Sequence, residues 1–495
     1  MLRILMKSVL FLLLLVVFPL LAEGFNLEKK VVEFRLKNGM RWFYVKRAQA
    51  PVFSGVVMVR VGGADEIDGK TGLAHVFEHM AFKGSKRLGT RDWAKERVLL
   101  DRIEEVGAKL TRESQKDEVD ASIVESLSAE LAKLEREADR YRAKNEIWEL
   151  LVRNGGADLN AYTSKDVTTY HASMPSNRLE LWASVMSEMV FEPAFREFYT
   201  ERSVIAEERR SGVDNHPDGL MSEKILSASW DSGPYRWSTI GFEKDVMGLT
   251  VEDARAFHRK HYVPGNMVGV LVGDLNLRAA RAVLNRTFGR HSKGKVPSPP
   301  KKGAKECGRV YDRFSFEAEP SVAVAWHKPT LPDEAEYSFD LIQAVLCDGR
   351  SSRLQKRLVY ERKLAEEVYC STSYPGARLP NLFLIWVDPL KSASVPAILR
   401  EIEGEVKRLR DEPVGEDELS RVKKQAASGL VFSLERNMAL AQRIAQFQTV
   451  FGDWRLLARY PKRLESVTAE DLMKTARKYL VQDNRVTVER ERGRR

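Results

Sequence analysis

Short bursts of apolar and β-branched residues punctuate this chain. Between them lie longer stretches in which every third or fourth position is apolar. The bursts "FSGVVMVRVGG" and "GNMVGVLVGDL" predict strands in the first part, and "PSVAVAWHKP" and "NLFLIWVDP" predict strands in the second. The run "LNAYTSKDVTTYHASM", rich in Thr, Tyr and Val, also suits a strand. Helical spacing marks "AEYSFDLIQAVL" and "EDELSRVKKQAASGLVFSLERNMALAQRIAQFQ". Strands and helices alternate without a G-x-G-x-x-G turn, so an α+β fold is expected over a doubly wound nucleotide fold.

From Trp93 to Leu151 the pattern changes. Ile123, Leu127, Leu131, Leu134, Ala138 and Tyr141 recur at helical spacing among mostly charged residues. This predicts a helical hairpin with a narrow apolar seam, broken near "TRESQKDEVD" and inserted at about residues 93–151. Further on, "HSKGKVPSPPKKGAKE" has little apolar surface to bury and predicts an exposed tether at residues 291–306. The chain therefore divides into residues 25–290 and 307–495. Ahead of them, residues 1–24 combine Arg3 and Lys7 with an apolar run and the small-residue stretch "AEG", as a secretory signal does. A periplasmic or secreted protein is expected, with membrane contact only through an uncleaved signal.

Composition narrows the function. The 495 residues carry a net charge of +10, but 70 acidic residues stand among 80 basic ones. Such a mixture reads as a solvated surface, and no nucleic-acid partner is expected. The terminal "RERGRR" reads as a frayed tail. Cys307, Cys347 and Cys370 are odd in number and far apart, which predicts neither a disulfide framework nor a thiolate metal site. Any metal must be held by histidine and carboxylate.

The stretch "GLAHVFEHMAFKG" supplies such ligands. On a helix, His75, Glu78 and His79 project from one face. Two imidazoles one turn apart can hold one zinc ion, and the glutamate beside them can take a proton from water. A third protein ligand is needed. In "FREFYTERSVIAEER", Phe198, Glu201, Ile205 and Glu208 form one helical stripe, whereas Glu207 lies about 100° away and should be solvated. Carboxylates sharing a stripe with Phe and Ile need a partner, which could be a metal or a structural salt bridge. Glu208 is chosen as the ligand and Glu201 as its neighbour. His171, His216, His258, His261 and His327 show no ligand spacing and read as structural or surface residues.

With these motifs the chain resembles the insulinase/pitrilysin family of inverzincin zinc metallopeptidases. The matching runs are "GLAHVFEHMAFKGS", "GGADLNAYTSKDVTTYH", "ERSVIAEERRSGVDNHPDG" and "HYVPGNMVGVLVGDLN", with a weaker match at "DGRSSRLQKRL". The resemblance implies two homologous α/β-sandwich domains forming half of a clamshell, the second catalytically silent. It implies one zinc per chain on His75, His79 and Glu208, with Glu78 as general base and Glu201 as a supporting carboxylate. It also implies an edge strand whose Asn160, Ala161 and Tyr162 contact an extended peptide. One departure stands out: Glu208 lies 129 positions after His79, against about seventy to eighty in relatives. The hairpin is of a size to supply the excess, and would set a bulky arm close to the cleft.

A zinc endopeptidase acting on extended or unfolded peptides outside the cytoplasm is thus expected. A non-catalytic scaffold or assembly subunit of the same fold is the alternative. In the family, the zinc-free half supplies an Arg and a Tyr that grip the substrate. The corresponding positions here fall on Val359 and Glu366. A heterodimer with a zinc-less homologue carrying that pair is expected, while a homodimer stays open.

Overall fold

In a computed structural model, the chain is described over residues 27–301, 303 and 309–493. The expected signal (1–24) and Cys307 lie outside these residues. Strands β1 (Val31–Arg35), β2 (Arg41–Lys46), β3 (Val52–Val59), β4 (Ala157–Thr163), β5 (Thr168–Pro175) and β6 (Met267–Gly273) form one sheet in the order β1-β2-β6-β3-β5-β4. Strands β7 (Val310–Phe316), β8 (Ser321–Lys328), β9 (Ala365–Tyr374), β10 (Asn381–Pro389) and β11 (Arg485–Arg492) form a second, ordered β7-β11-β8-β10-β9.

The second sheet repeats the first. In each, one parallel pair, β2 with β6 and β7 with β11, is followed by three antiparallel steps to an open edge. Chain order maps β2 through β6 onto β7 through β11, and the edge strand β4 onto β9. The fold is a two-domain α+β arrangement built on a duplicated unit. The helix Leu73–Phe82 after β3 has its counterpart in Ala335–Leu346 after β8, which contains no histidine.

The two units exchange helices. Helix Asn437–Val450 of the second buries Ile444, Ala445 and Phe447 in a core shared with Val56, Met58, Val270 and Val272 of the first sheet. Helix Pro217–Ser229 of the first places Met221 and Ile225 against Ala323, Ala325, Val486 and Val488 of the second. The opposite face of the first sheet carries Leu73–Phe82 and the Trp182 helix, and Gly55 lets Trp182 in: a Cβ there would meet its ring at 2.2 Å. The tether has no helix or strand over 291–301.

Several expectations are corrected. The run 159–174 forms two strands, not one, because the Ser164 hydroxyl accepts from the N–H groups of Asp166 and Val167 and turns the chain. The long second-part helix breaks between Glu416–Ser433 and Asn437–Val450. There Arg47 of the first unit donates to the carbonyls of Leu434 and Glu435, at 2.9 and 2.6 Å, capping carbonyls that a continuous helix would have used. The basic terminus is not frayed over its first three residues. Arg490 to Arg492 belong to β11, and Arg490 is buried and pairs with Asp218 at 2.6 Å. Finally, Cys347 and Cys370 do form a disulfide, with Cα atoms 5.8 Å apart, between the end of helix Ala335–Leu346 and β9. Sequence separation hid a pairing that the fold imposes.

Candidate metal centre and active site

Helix Leu73–Phe82 begins where the backbone needs a glycine. Gly72 sits at φ 90, and a Cβ there would lie 2.7 Å from the Ile240 carbonyl oxygen. The first turn is capped from a distance: the Glu66 carboxylate accepts from the Ala74 N–H at 2.8 Å and, more weakly, from the Trp237 indole N–H at 3.3 Å. Leu73, Val76, Phe77 and Met80 are buried beneath the sheet, so the other face turns His75, Glu78 and His79 outward.

Helix Phe198–Arg209 crosses over that face. Phe198 and Ile205 are buried, and their stripe delivers Glu201 and Glu208 to the histidines. Glu208 Oε2 lies 3.9 Å from His75 Nε2 and 3.8 Å from His79 Nε2. Glu207 points away, mostly exposed, and pairs with Arg210. A tetrahedral ion with ligands at about 2.0–2.1 Å needs donors roughly 3.4 Å apart, so the two Glu208 separations, 3.8 and 3.9 Å, are about half an ångström too wide.

The two imidazoles sit in different electrostatic settings. Burial, then the neighbouring His79, lowers the His75 pKa to about 4, leaving a neutral imidazole. Its Nδ1 is buried without a hydrogen-bond partner. Burial would lower His79 too, but the Glu201 hydrogen bond and the charges of Glu208, Glu201 and Glu78 outweigh it and raise the pKa. Glu201 Oε2 lies 3.1 Å from His79 Nδ1, which directs the Nε2 lone pair at Glu208. Two imidazoles and one carboxylate, one imidazole oriented by a second carboxylate, form a donor set that fits zinc. Among the described residues, His75, His79 and Glu208 are the cluster able to hold a metal ion.

Glu78 lies next to this trio without joining it. Burial raises its carboxyl pKa and the Glu208 charge adds to that, while Thr163 at the end of β4 and the His79 charge pull it down. Such a group holds a proton more readily than a free carboxylate, as a base handing protons on must. Strand β4 is the outer strand of its sheet. Asn160 and Tyr162 are exposed on it and Ala161 is buried, so the strand presents an open backbone edge running up to Glu78.

Four contributors escaped the sequence reading. Glu66 caps the motif helix, Thr163 faces Glu78, Lys83 pairs with Glu201, and Glu197 lies 3.4 Å from Lys83. Only Lys83, one turn beyond His79 on the helical face, carried a local signal that could have found it.

Comparison with known proteins identifies the family of the chain. The family model "Insulinase (Peptidase family M16)" matches residues 43–128 and 136–242, interrupted only inside the hairpin. A second, "Peptidase M16 inactive domain", matches residues 248–426 and so takes in β6, which completes the first sheet. The zinc protease PqqE of Helicobacter pylori is 25% identical over 464 residues, covering 92% of this chain and 91% of that protein. An uncharacterized zinc protease of Rickettsia felis is 22% identical over 461 residues, 92% of this chain and 95% of its own length. Among solved structures, a protease from Helicobacter pylori superposes with a TM-score of 0.78 at 23% identity, over 93% of this chain and 99% of the other. The periplasmic protease PqqL from Escherichia coli does so at 0.67 and 18% identity, over 94% of this chain but 48% of that one. Two family models in tandem and relatives named zinc proteases along nearly the whole chain identify the protein as a member of the insulinase family, peptidase M16.

Proposed function

We propose that this protein is a zinc-dependent endopeptidase that cleaves extended or unfolded peptides outside the cytoplasm. The observation that carries the reading is the convergence of His75, His79 and Glu208 beside Glu78, at the end of an open edge strand. One zinc ion, held by those three residues, would polarise the scissile carbonyl and acidify water. Glu78 takes a proton from the attacking water and returns it to the leaving amine nitrogen. Glu201 holds His79 through Nδ1 and keeps the ring in its ligating orientation. The substrate backbone pairs with β4 at Asn160, Ala161 and Tyr162, which selects for extended chain and depends little on side chains. A scaffold would have no use for two histidines and a glutamate gathered beside Glu78, which favours the enzyme over the scaffold reading.

The extracytoplasmic part of the proposal is supported by the disulfide Cys347–Cys370, since such bonds persist in oxidising compartments. Pairing with a second half is supported by the length of the Escherichia coli protease, about half of which this chain covers. The test is cleavage of an unfolded peptide library by the purified chain, with metal content measured in parallel. About one zinc per chain and chelator-sensitive cleavage are expected. A zinc-loaded chain inert both alone and with every co-expressed homologue would return the reading to a scaffold.

A further inference from the structure

The hairpin insertion grips the centre it flanks. Just before helix Phe198–Arg209, Phe195 (φ 53) and Glu197 (φ 56) both hold left-handed backbone, a conformation that L side chains rarely adopt. Between them, Arg196 donates to both carboxylate oxygens of Glu96 on the hairpin's first helix, at 2.7 and 3.0 Å, with both side chains about 2% exposed. Its other N–H groups go to the carbonyls of Lys83, Ser85 and Leu88. The turn is thus fixed between the hairpin and the chain leaving the motif helix.

A line of alternating charges starts from the same turn. Arg142, just past the hairpin's second helix, pairs with Glu197 and with Asp139. Glu197 lies 3.4 Å from the Lys83 ammonium, which pairs in turn with Glu201. Glu201 holds His79 at 3.1 Å. Arg142, Glu197, Lys83 and Glu201 are 13% to 26% exposed, so salt screens them less than surface pairs.

We infer that the hairpin is a brace for the metal centre, acting through Arg142–Glu197–Lys83–Glu201 to hold His79 in its ligating orientation. The inference rests on the zinc-ligand reading above. Arg142 and Lys83 are positioning residues, not catalytic ones. Two anions, Glu197 and Glu201, compete for one ammonium. With Arg142 in place, Glu197 is satisfied and Lys83 is free to hold Glu201. Without it, Lys83 is drawn toward Glu197 and Glu201 loosens, taking His79 with it.

That competition gives a signature which general loosening of the fold would not produce. The measurement is the zinc affinity of the purified full chain, by competition with a chromogenic chelator, with a thermal melt beside it. Removing groups that orient a metal ligand weakens affinity by about 10- to 100-fold. Lys83→Gln should therefore lose about tenfold, and Arg142→Gln, two links further out, about threefold. Arg142→Lys should restore most of the loss, because a point charge suffices. Adding Glu197→Gln to Arg142→Gln should also restore it, because the competing anion is gone. Arg102→Gln, which breaks an exposed hairpin pair with Glu130 off this line, should leave affinity unchanged. If Arg142→Gln binds zinc as tightly as the wild type, or Glu197→Gln deepens its defect, the brace is overturned while the metal centre stands. If the wild type takes up no zinc, or uptake survives His75→Ala, the metal reading fails and the brace with it.

Discussion

His75, Glu78 and His79 share a direction because one turn of helix puts them there. That is why the centre could be read from the sequence: spacing within a helix is local information. Glu208, far along the chain, was legible for the same reason on a later helix, since its stripe with Phe198, Glu201 and Ile205 set it apart from Glu207. Glu66 and Thr163 were not legible, because each reaches the site only through a tertiary contact. The roles separate by substitution. Glu78→Gln keeps the shape and removes the proton acceptor, so zinc content should stay near one per chain while kcat falls by about 10²- to 10⁴-fold. An active Glu78→Gln enzyme would contradict the assigned base. Glu208→Ala should lower zinc affinity by more than about a hundredfold, since a direct ligand outranks the groups that orient one. Glu207→Ala, which loses only an exposed pair with Arg210, should bind zinc as the wild type does. The reverse pattern in a metal titration would move the ligand by one residue and break the helical argument.

The hairpin shows where periodicity stops being informative about an element. Helices Trp93–Ser114 and Ala121–Ala138 carry its seam only in part: Leu131, Leu134 and Ala138 are buried, whereas Ile123 is exposed and Tyr141 lies in a short turn of 3-10 helix beyond. The break between its helices was expected near "TRESQKDEVD", which begins at Thr111. The first helix instead runs on to Ser114, and Thr111 and Glu113 are buried. Arg202 of the glutamate helix explains this, donating at 2.8 Å to both the Thr111 hydroxyl and the Leu249 carbonyl. Brief proteolysis should therefore nick only residues 115–120 and the tether at 291–301, sparing 105–114. Early cuts inside 105–114 would mean that the docking is not maintained in solution. The same interface depends on one glycine. A Cβ at Gly107 would come within 2.0 Å of the Tyr199 ring, so Gly107→Val should cost about 1–3 kcal/mol by overpacking, read as a lower midpoint in denaturant. In the second unit, Cys347 and Cys370 lie on different elements that neither spacing nor pattern links, so their bond could be seen only once helix and β9 were packed together.

At the scale of the whole molecule, the duplicated sheets make one body by exchanging helices and by a buried polar joint. Arg378 of the second unit reaches Asp65 of the first at 2.7 Å, and Asp166 accepts from the backbone N–H groups of Ala377 and Arg378 and from the Tyr235 hydroxyl. Arg378→Ala would leave both carboxylates buried without it, at a cost of about 3–5 kcal/mol, seen as an earlier thermal transition. The sequence showed two parts and a tether, but not this joint, which depends on residues more than two hundred positions apart. At the two positions where the family resemblance places an Arg/Tyr grip on the substrate, the second unit carries neither residue. Val359 packs against the second unit's core, and Glu366 is exposed at the start of β9. Valine offers no donor, and a glutamate would repel a developing oxyanion. Neighbouring arginines do not fill the gap, because Arg357 and Arg362 both pair with Glu401, at 2.7 and 3.3 Å. On the proposed reading, a pair of identical copies would bring two metal centres and no donor pair at these positions. We expect the purified chain alone to turn over unfolded peptide slowly. Co-expression with a zinc-less homologue carrying an Arg/Tyr pair should raise kcat/KM at least about tenfold, because one hydrogen-bond donor to an oxyanion is commonly worth 10²–10³ in rate. The comparison is made at equal zinc content, with the oligomeric state of each sample followed by light scattering. A homodimer already fully active, and unchanged by the partner, would show that another residue of this chain supplies the donor and that the second half is a copy of the first.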